Sequence, residues 1–318
     1  MVAGWVGRVP WEVVVAGLFA VVAGMNDGGA LLATGLKLPS VRPVTGILTL
    51  VLLVALVPLV THQVALTFVT RLATFDSPDG GPAMTVAVLA ALTVVTVLSS
   101  RGWPTSLTLA IVGGLTGAGL GWGLPVSPGW VALVLLVGVV SPVVGGSAAW
   151  LAIRLLVGVT RNGGLPRWHV AAFAVQSVAY AANDGQKMLA LFMIALGFSD
   201  APLTWTALVA GLFALGALYG MPKAGRVLSY GIIASRPLHG VAAELGAGLT
   251  VLACAAIGTP VSMTQAIAGG LIGAGIAQSS GRVRWYAAAR IVLAWLVTLP
   301  VALVVAAVAA LVGRELTG

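Results

Sequence analysis

Two acidic residues, each preceded by asparagine, lie inside strongly apolar stretches of the sequence. Asn26-Asp27 follows the apolar run 13–25, and Asn183-Asp184 follows the run 170–182. An ionised carboxylate in an apolar membrane interior is costly, so such residues are few and usually belong to a site. Asparagine can begin a new helix by accepting hydrogen bonds from free N–H groups, and we therefore expect a helix break at each dipeptide. Free N–H groups favour an anion and carboxylates favour a cation, so one site could hold both.

Hydroxyl residues recur beside two prolines and could belong to the same site. Ser106 and Thr108 follow Pro104, whereas Ser262, Thr264 and Gln265 follow Pro260. Such hydroxyls either cap the start of a helix or bind a ligand. Because each set accompanies one Asn-Asp dipeptide, we interpret all four hydroxyl residues as ligands rather than as caps alone.

Other polar residues in apolar sequence have more than one interpretation. Glu244 could ligate a cation, carry a proton, or pair with the nearby Arg236 or His239. Lys187 lies three residues after Asp184 and could simply neutralise it, because residues three apart share a helix face. We expect the cation to be held by Asp27, Asp184, Gln186, Glu244 and Gln265. The spacing of the histidines gives no metal signature, and we expect no metal site other than a possible sodium site at these residues.

The composition shows what kind of protein carries these residues. Apolar residues form 59% of the 318-residue chain and charged residues 8%, and the mean hydropathy is +1.09. A water-soluble domain with this composition would expose one large apolar surface, so we interpret the chain as an all-α polytopic membrane protein in contact with lipid. The net charge of +8 comes from basic residues scattered near the ends of apolar segments. This distribution suits interfacial anchoring and argues against nucleic-acid binding.

The apolar segments predict about 10–12 membrane segments. The candidates are 11–35, 43–70, 83–100, 105–122, 129–157, 168–197, 203–221, 239–257, 261–277 and 285–312. Segments 105–122 and 261–277 are short, rich in glycine and begin just after a proline, which favours halves of re-entrant hairpins over full crossings. Polar loops are expected at 71–82, 154–167, 222–237 and 279–284.

The chain is a duplication. Residues 104–120 and 260–276 are identical at 11 of 17 positions, and their offset of 156 residues nearly equals the 157 residues between Asp27 and Asp184. We therefore expect residues 1–160 to form one repeat of a membrane transport domain and residues 161–318 to form the second. A duplicated membrane unit with one buried acid per copy is typical of a secondary transporter.

These residues resemble the inorganic phosphate transporter (PiT) family along nearly the whole chain. The strongest match is Ala182-Asn-Asp-Gly-Gln-Lys187, similar to the family's N-D-A-Q-K signature. Gly24-Met-Asn-Asp27, Ser235–Glu244 and Pro260–Gln265 are similar to other blocks. The resemblance implies a dimeric α-helical transporter with inverted repeats in the cytoplasmic membrane. It also implies import of phosphate together with sodium or protons, without a cofactor.

The first repeat departs from the family pattern. Ala30 replaces a second Asn, while Leu107 and Leu109 replace Thr and His; in the second repeat Met263 replaces a Thr. These losses leave fewer ligands for sodium, which favours protons. A sulfate permease on the same scaffold is the main alternative, followed by a membrane sensor or subunit without transport activity. An intramembrane enzyme is disfavoured, since no nucleophile–base pair is visible.

Overall fold

The computed structural model describes residues 10–36, 38–101, 103, 105–160, 163–198, 202–233 and 236–317. Pro104 and Ser235, which contribute to the sequence motifs above, lie outside the described residues. The described residues are helical apart from their connections and two isolated β-bridges. The all-α fold predicted from the composition is confirmed.

Every predicted apolar segment contains at least one helix. The first half contains α1 (Trp11–Ala23), a π-helical turn (Gly24–Gly28), α2 (Gly29–Gly35), α3 (Pro43–Val60), α4 (Gln63–Leu66), a second π-helical turn (Thr67–Arg71), α5 (Gly80–Ser100), α6 (Leu107–Trp122) and α7 (Pro128–Val159). The second half contains α8 (Leu165–Tyr180), a third π-helical turn (Ala181–Gly185), α9 (Gln186–Leu196), α10 (Leu203–Gly231), α11 (Pro237–Ala256), α12 (Met263–Ile276) and α13 (Trp285–Thr317). Seven helices within the described ranges are long and apolar enough to cross a membrane, whereas α6 and α12 are shorter.

Most connections between the helices gather at two ends of the bundle. At the first end, a bridge between Ala73 and Val126 joins the chain before α5 to the chain after α6, and Arg314 of α13 lies beside Gly123. At the second end, a bridge between Ile233 and Val283 joins the chain before α11 to the chain after α12. The α2–α3 connection also lies at the second end, because Ser40 contacts His169 near the start of α8.

The short helices belong to two opposed hairpins, as expected for re-entrant elements. The α5–α6 hairpin begins and ends at the first end, and the α11–α12 hairpin begins and ends at the second. Their tips meet inside the bundle, where Thr108 at the start of α6 donates a hydrogen bond to the carbonyl of Val261 beside α12 at 3.4 Å. Equivalent hairpins that enter from opposite ends support inverted repeats, and we infer that residues 1–160 and 161–318 are the two copies.

Glycines let each short helix pack closely on a long helix of the other half. Gly113, Gly117 and Gly121 of α6 face the backbone of α13, and any side chain there would meet its carbonyls. Gly269 and Gly273 of α12 face the backbone of α7 in the same way. Small residues at every fourth position are the usual basis for such close contact between membrane helices.

Three predicted boundaries are wrong. Segment 43–70 is interrupted at Thr61 and His62, since Thr61 has an extended backbone with φ −141° and ψ 137°. The predicted loop at 222–237 is helical to Gly231, and the predicted connector at 154–167 is helical to Val159 and again from Leu165. Basic residues suggested loops there, but long membrane helices carry such residues in their interfacial turns.

Candidate functional site

The two Asn-Asp dipeptides lie in π-helical turns rather than at helix breaks. Asn26 and Asp27 belong to the turn Gly24–Gly28, and Asn183 and Asp184 belong to the turn Ala181–Gly185. The residues flanking both turns keep right-handed helical angles, and neither turn has a side-chain cap. The expected break with free N–H groups is therefore wrong at these positions. A π-turn widens a helix without ending it, and such turns occur frequently at functional sites.

The helix N-termini at the centre belong instead to α6 and α12, at the two hairpin tips. Ser106 caps α6, since its Oγ accepts a hydrogen bond from the Leu109 amide at 3.2 Å. Ser262 caps α12 in the same way, with the Gln265 amide at 3.4 Å. Both serines therefore cap helices. Capping was the alternative to a ligand role that the sequence left open. The two capped N-termini meet at the centre of the bundle, where their partial positive charge favours an anion.

Asn183 ties the second hairpin tip to the π-turn. Its Nδ2 donates to the carbonyl of Val261 at 2.7 Å, while its Oδ1 accepts from the Val261 amide at 3.1 Å. The same Nδ2 also donates to Asp184 Oδ2 at 2.9 Å. Asn26, its counterpart, is half-buried and donates to Asp27 Oδ1 at 3.3 Å. The two dipeptides therefore have different surroundings, although both read Asn-Asp in the sequence.

Lys187 is the central side chain that the sequence analysis treated only as a local neutraliser. It is 2% exposed, and its Nζ donates to Asp184 Oδ1 at 2.9 Å, Thr108 Oγ1 at 2.8 Å and the Val261 carbonyl at 2.5 Å. An ammonium group has three hydrogens to donate, and all three are used. The ion pair proposed from the spacing is thus present, and it also connects the two repeats.

Asp27 completes the centre from the first repeat. It is 1% exposed, receives hydrogen bonds from Asn26 and from Thr264 of the second repeat, and interacts electrostatically with Asp184 and Lys187. Two carboxylates against one ammonium leave a net charge of −1 when all three groups are ionised. A buried uncompensated charge is costly, so the centre favours an additional cation.

Tyr180 is a further central residue that the sequence analysis missed. Its side chain is completely buried and interacts electrostatically with both aspartates, and its hydroxyl donates to the Ala23 carbonyl at 3.5 Å. Tyr180 precedes Asp184 by four residues, so the helical period places both on one face. The spacing of four residues between Tyr180 and Asp184 could therefore have identified Tyr180 from the sequence.

Gln186 does not serve as a cation ligand. Its Oε1 accepts hydrogen bonds from the amides of Val64 at 2.8 Å and Ala65 at 3.2 Å, and therefore caps the start of α4. The remaining polar atom, Nε2, is a donor and cannot coordinate a cation. This role depends on the interruption at Thr61 and His62, which the hydropathy of the segment did not predict.

Glu244 lies away from the centre, which corrects its expected place in the cation shell. Its Oε2 is 3.7 Å from His169 Nε2, and His169 Nδ1 is 2.6 Å from Ser40 Oγ. Fifteen residues of largely helical chain separate His169 from Asp184, which corresponds to roughly 20 Å. Glu244 and His169 are both buried and form a second polar cluster near the second end.

Gln265 borders a cavity that neither carboxylate of the centre lines. It lines a cavity of 1020 Å³ between α7, α12 and α13 whose other walls are almost entirely apolar. Its Oε1 is buried and has no hydrogen-bond partner among the residues that the structure describes. Within those residues no three His, Cys, Asp or Glu side chains come together as a metal site.

The comparisons with known proteins agree with this architecture. A family model described as the phosphate transporter family matches residues 160–306. A protein of Rhizobium meliloti named probable low-affinity inorganic phosphate transporter is 32% identical over 238 residues, which cover 70% of this chain and 71% of the relative. A protein of Mycobacterium tuberculosis with the same name is 32% identical over 221 residues, covering 63% of this chain and 52% of the relative. The chain thus spans about half the length of the mycobacterial relatives it matches.

A solved structure titled the sodium-dependent phosphate transporter has the same fold. It superposes with a TM-score of 0.78, covers 96% of this chain and 99% of its own, and is 18% identical in sequence. A Bacillus subtilis protein named probable low-affinity inorganic phosphate transporter is 24% identical over 323 residues, or 93% of this chain and 94% of the relative.

Proposed function

Because the chain belongs to the phosphate transporter family, we propose that it carries inorganic phosphate across a membrane by symport with a cation. The observation that carries this proposal is the buried centre, where two capped helix N-termini meet two carboxylates and one ammonium. The N-termini supply the attraction for an anion, and the excess carboxylate supplies the attraction for a cation.

The anion site that we propose lies between the starts of α6 and α12. Ser106, Thr108, Ser262 and Thr264 supply hydroxyls there, with Asn26 and Asn183 beside them. Phosphate near neutral pH keeps a proton that it can donate, whereas sulfate only accepts hydrogen bonds. Asp27 and Asp184 can accept from that proton, and the same carboxylates repel sulfate.

Asp27 is the carboxylate that we propose for the coupling cation. Asp184 is already paired with Lys187 at 2.9 Å, while the hydrogen-bond partners of Asp27 are the neutral side chains of Asn26 and Thr264. We propose a proton as the cation, because a carboxylate oxygen suffices for a proton whereas sodium needs several oxygens held together. Ala30, Leu107 and Leu109 have no side-chain oxygen for sodium, and the side-chain oxygen of Gln186 is bound to the start of α4.

The charge of the two ends supports an orientation of the protein in the membrane. Exposed arginines at the second end include Arg42, Arg154, Arg167, Arg236 and Arg284. The described part of the first end carries the acids Glu12, Asp76, Asp79 and Glu315 with only Arg71 and Arg314. Basic loops remain in the cytoplasm, so we propose that the second end is cytoplasmic, in a protein that imports phosphate through the cytoplasmic membrane. We also propose a homodimer, as the family resemblance implies.

Uptake by the purified chain in proteoliposomes tests this proposal. Labelled phosphate and labelled sulfate are supplied separately, with a pH gradient or a sodium gradient imposed one at a time. We expect phosphate uptake driven by the pH gradient, with competition by arsenate and none by excess sulfate. Sulfate uptake would indicate the permease alternative, and absence of any uptake would reject a transport function.

A further inference from the structure

Polar residues recur on one face of α8 and of the π-helical turn that follows it, between the second end and the central site, with the apolar Ala172 and Phe173 between His169 and Gln176. His169, Gln176, Tyr180 and Asp184 recur at intervals of seven, four and four residues, and Ser177 adjoins Gln176. This spacing places them on one side of the helix. All five are at most 3% exposed, although they lie among apolar helices. Buried polar residues in a membrane are few and usually mark a route or a site.

Two residues midway along this face carry polar atoms without partners. Gln176 is completely buried, and neither its Oε1 nor its Nε2 has a hydrogen-bond partner among the described residues. The Oγ of Ser177 is likewise buried without a partner in that part of the chain. Gly248 of α11 lies against the backbone of Gln176 and presents no side chain there. Buried polar groups in this condition are the ones that bind internal water.

The face ends near the second end in groups that can exchange protons. His169 lies 3.7 Å from Glu244 of α11 and 2.6 Å from Ser40, and Ser40 is half-buried beside the exposed Pro39. Within the described ranges, α2 and α3 also pack on α8, and their sequences contain no titratable side chain. The titratable side chains of α11 are His239, Glu244 and Cys254.

The first repeat lacks the middle part of this polar face, although Glu12 stands at the position of His169. The positions of α1 that correspond to Gln176, Ser177 and Tyr180 at the offset of 157 residues are Phe19, Ala20 and Ala23. These three are buried and apolar. The polar side chains midway along α8 therefore have no polar counterparts along α1.

We propose that this face of α8 is a hydrated route along which the coupling proton passes between the central carboxylates and the second end. A proton released from a central carboxyl group moves along water held by Gln176 and Ser177 to the cluster of Glu244, His169 and Ser40, and from there to solvent. This inference rests on the proposed proton symport. It adds to that function the path of the proton and places the exit of the path at the second end.

The variant Gln176→Leu with Ser177→Ala tests the route. Leucine has nearly the size of glutamine, and the polar atoms removed have no hydrogen-bond partner within the described ranges, so thermal stability is expected to stay the same or rise. We expect uptake driven by a pH gradient to fall about tenfold or more, while the Kd for phosphate changes less than about twofold. The matched control is Phe19→Leu at the corresponding position of α1, which is expected to keep the wild-type rate of proton-driven uptake.

The outcomes separate this inference from the proposed function. Wild-type protein without phosphate uptake would reject the function itself. Wild-type uptake that follows a pH gradient, with an unchanged rate in the double variant, would overturn only the route. Loss of thermal stability in parallel with uptake would assign Gln176 and Ser177 to packing and would also overturn it, as would sodium-driven uptake that ignores the pH gradient.

Discussion

Lys187 Nζ lies 2.8 Å from Thr108 Oγ1, although the two residues belong to different repeats. The same ammonium also binds Asp184, so the charge of the second repeat is neutralised by a group that simultaneously fixes the start of α6. Asp27 reaches in the opposite direction, to Thr264 at the start of α12. The two threonines are equivalent in sequence, and each binds a charged residue of the other half.

Removing the buried ammonium is expected to destabilise the fold. Lys187→Met leaves Asp184 buried without its counter-charge, which costs about 3–5 kcal/mol. Thermal unfolding in detergent measures the effect. The double variant Lys187→Met/Asp184→Asn is expected to recover most of this stability without recovering uptake. A double variant no more stable than Lys187→Met would contradict the assignment.

The two aspartates are expected to differ in what their removal does. Asp27→Asn removes a charge whose hydrogen-bond partners are neutral, so we expect uptake to be lost while thermal stability is kept. Asp184→Asn deprives Lys187 of its partner, and we expect loss of both uptake and stability. Proteoliposome uptake and unfolding curves are compared for the two variants. Normal uptake by Asp27→Asn would remove that residue from the proposed cation site.

Asn183 is expected to matter more for stability than Asn26. Asn183→Ala leaves the Val261 amide buried without its acceptor, at a cost of about 1–3 kcal/mol. Asn26→Ala is the matched control, because Asn26 is half-buried and donates to Asp27 at 3.3 Å. Equal loss of stability in the two variants, measured by thermal unfolding, would argue against the tie between Asn183 and the hairpin tip.

The glycine contact between α6 and α13 predicts a further difference. In Gly117→Ala the added methyl group meets the Leu303 carbonyl, and such overpacking costs about 1–3 kcal/mol. Gly211→Ala in α10 is the control, since the space around Gly211 is open and alanine favours a helix by up to about 1 kcal/mol. The unfolding midpoints should therefore shift in opposite directions; a stabilising Gly117→Ala would be inconsistent with this packing.

The sequence was sufficient to predict the helices. It was also sufficient to predict that residues of the two repeats meet at one centre. Apolar length predicted the segments, and equal offsets predicted that Asp27, Asp184, Thr108 and Thr264 would come together. The sequence did not place Glu244, because that residue has no counterpart in the first repeat to locate it. It also did not predict the role of Gln186, since hydropathy does not register an extended residue such as Thr61 within an apolar run.

The glycine faces of α6 and α12 have a mechanical consequence. Each short helix lies backbone to backbone against a long helix of the other repeat, α6 on α13 and α12 on α7. A displacement of α13 therefore displaces the tip of the first hairpin, and a displacement of α7 displaces the tip of the second. A rigid unit that moves in this molecule therefore contains helices of both repeats. Neither repeat can move as a whole without displacing a helix of the other.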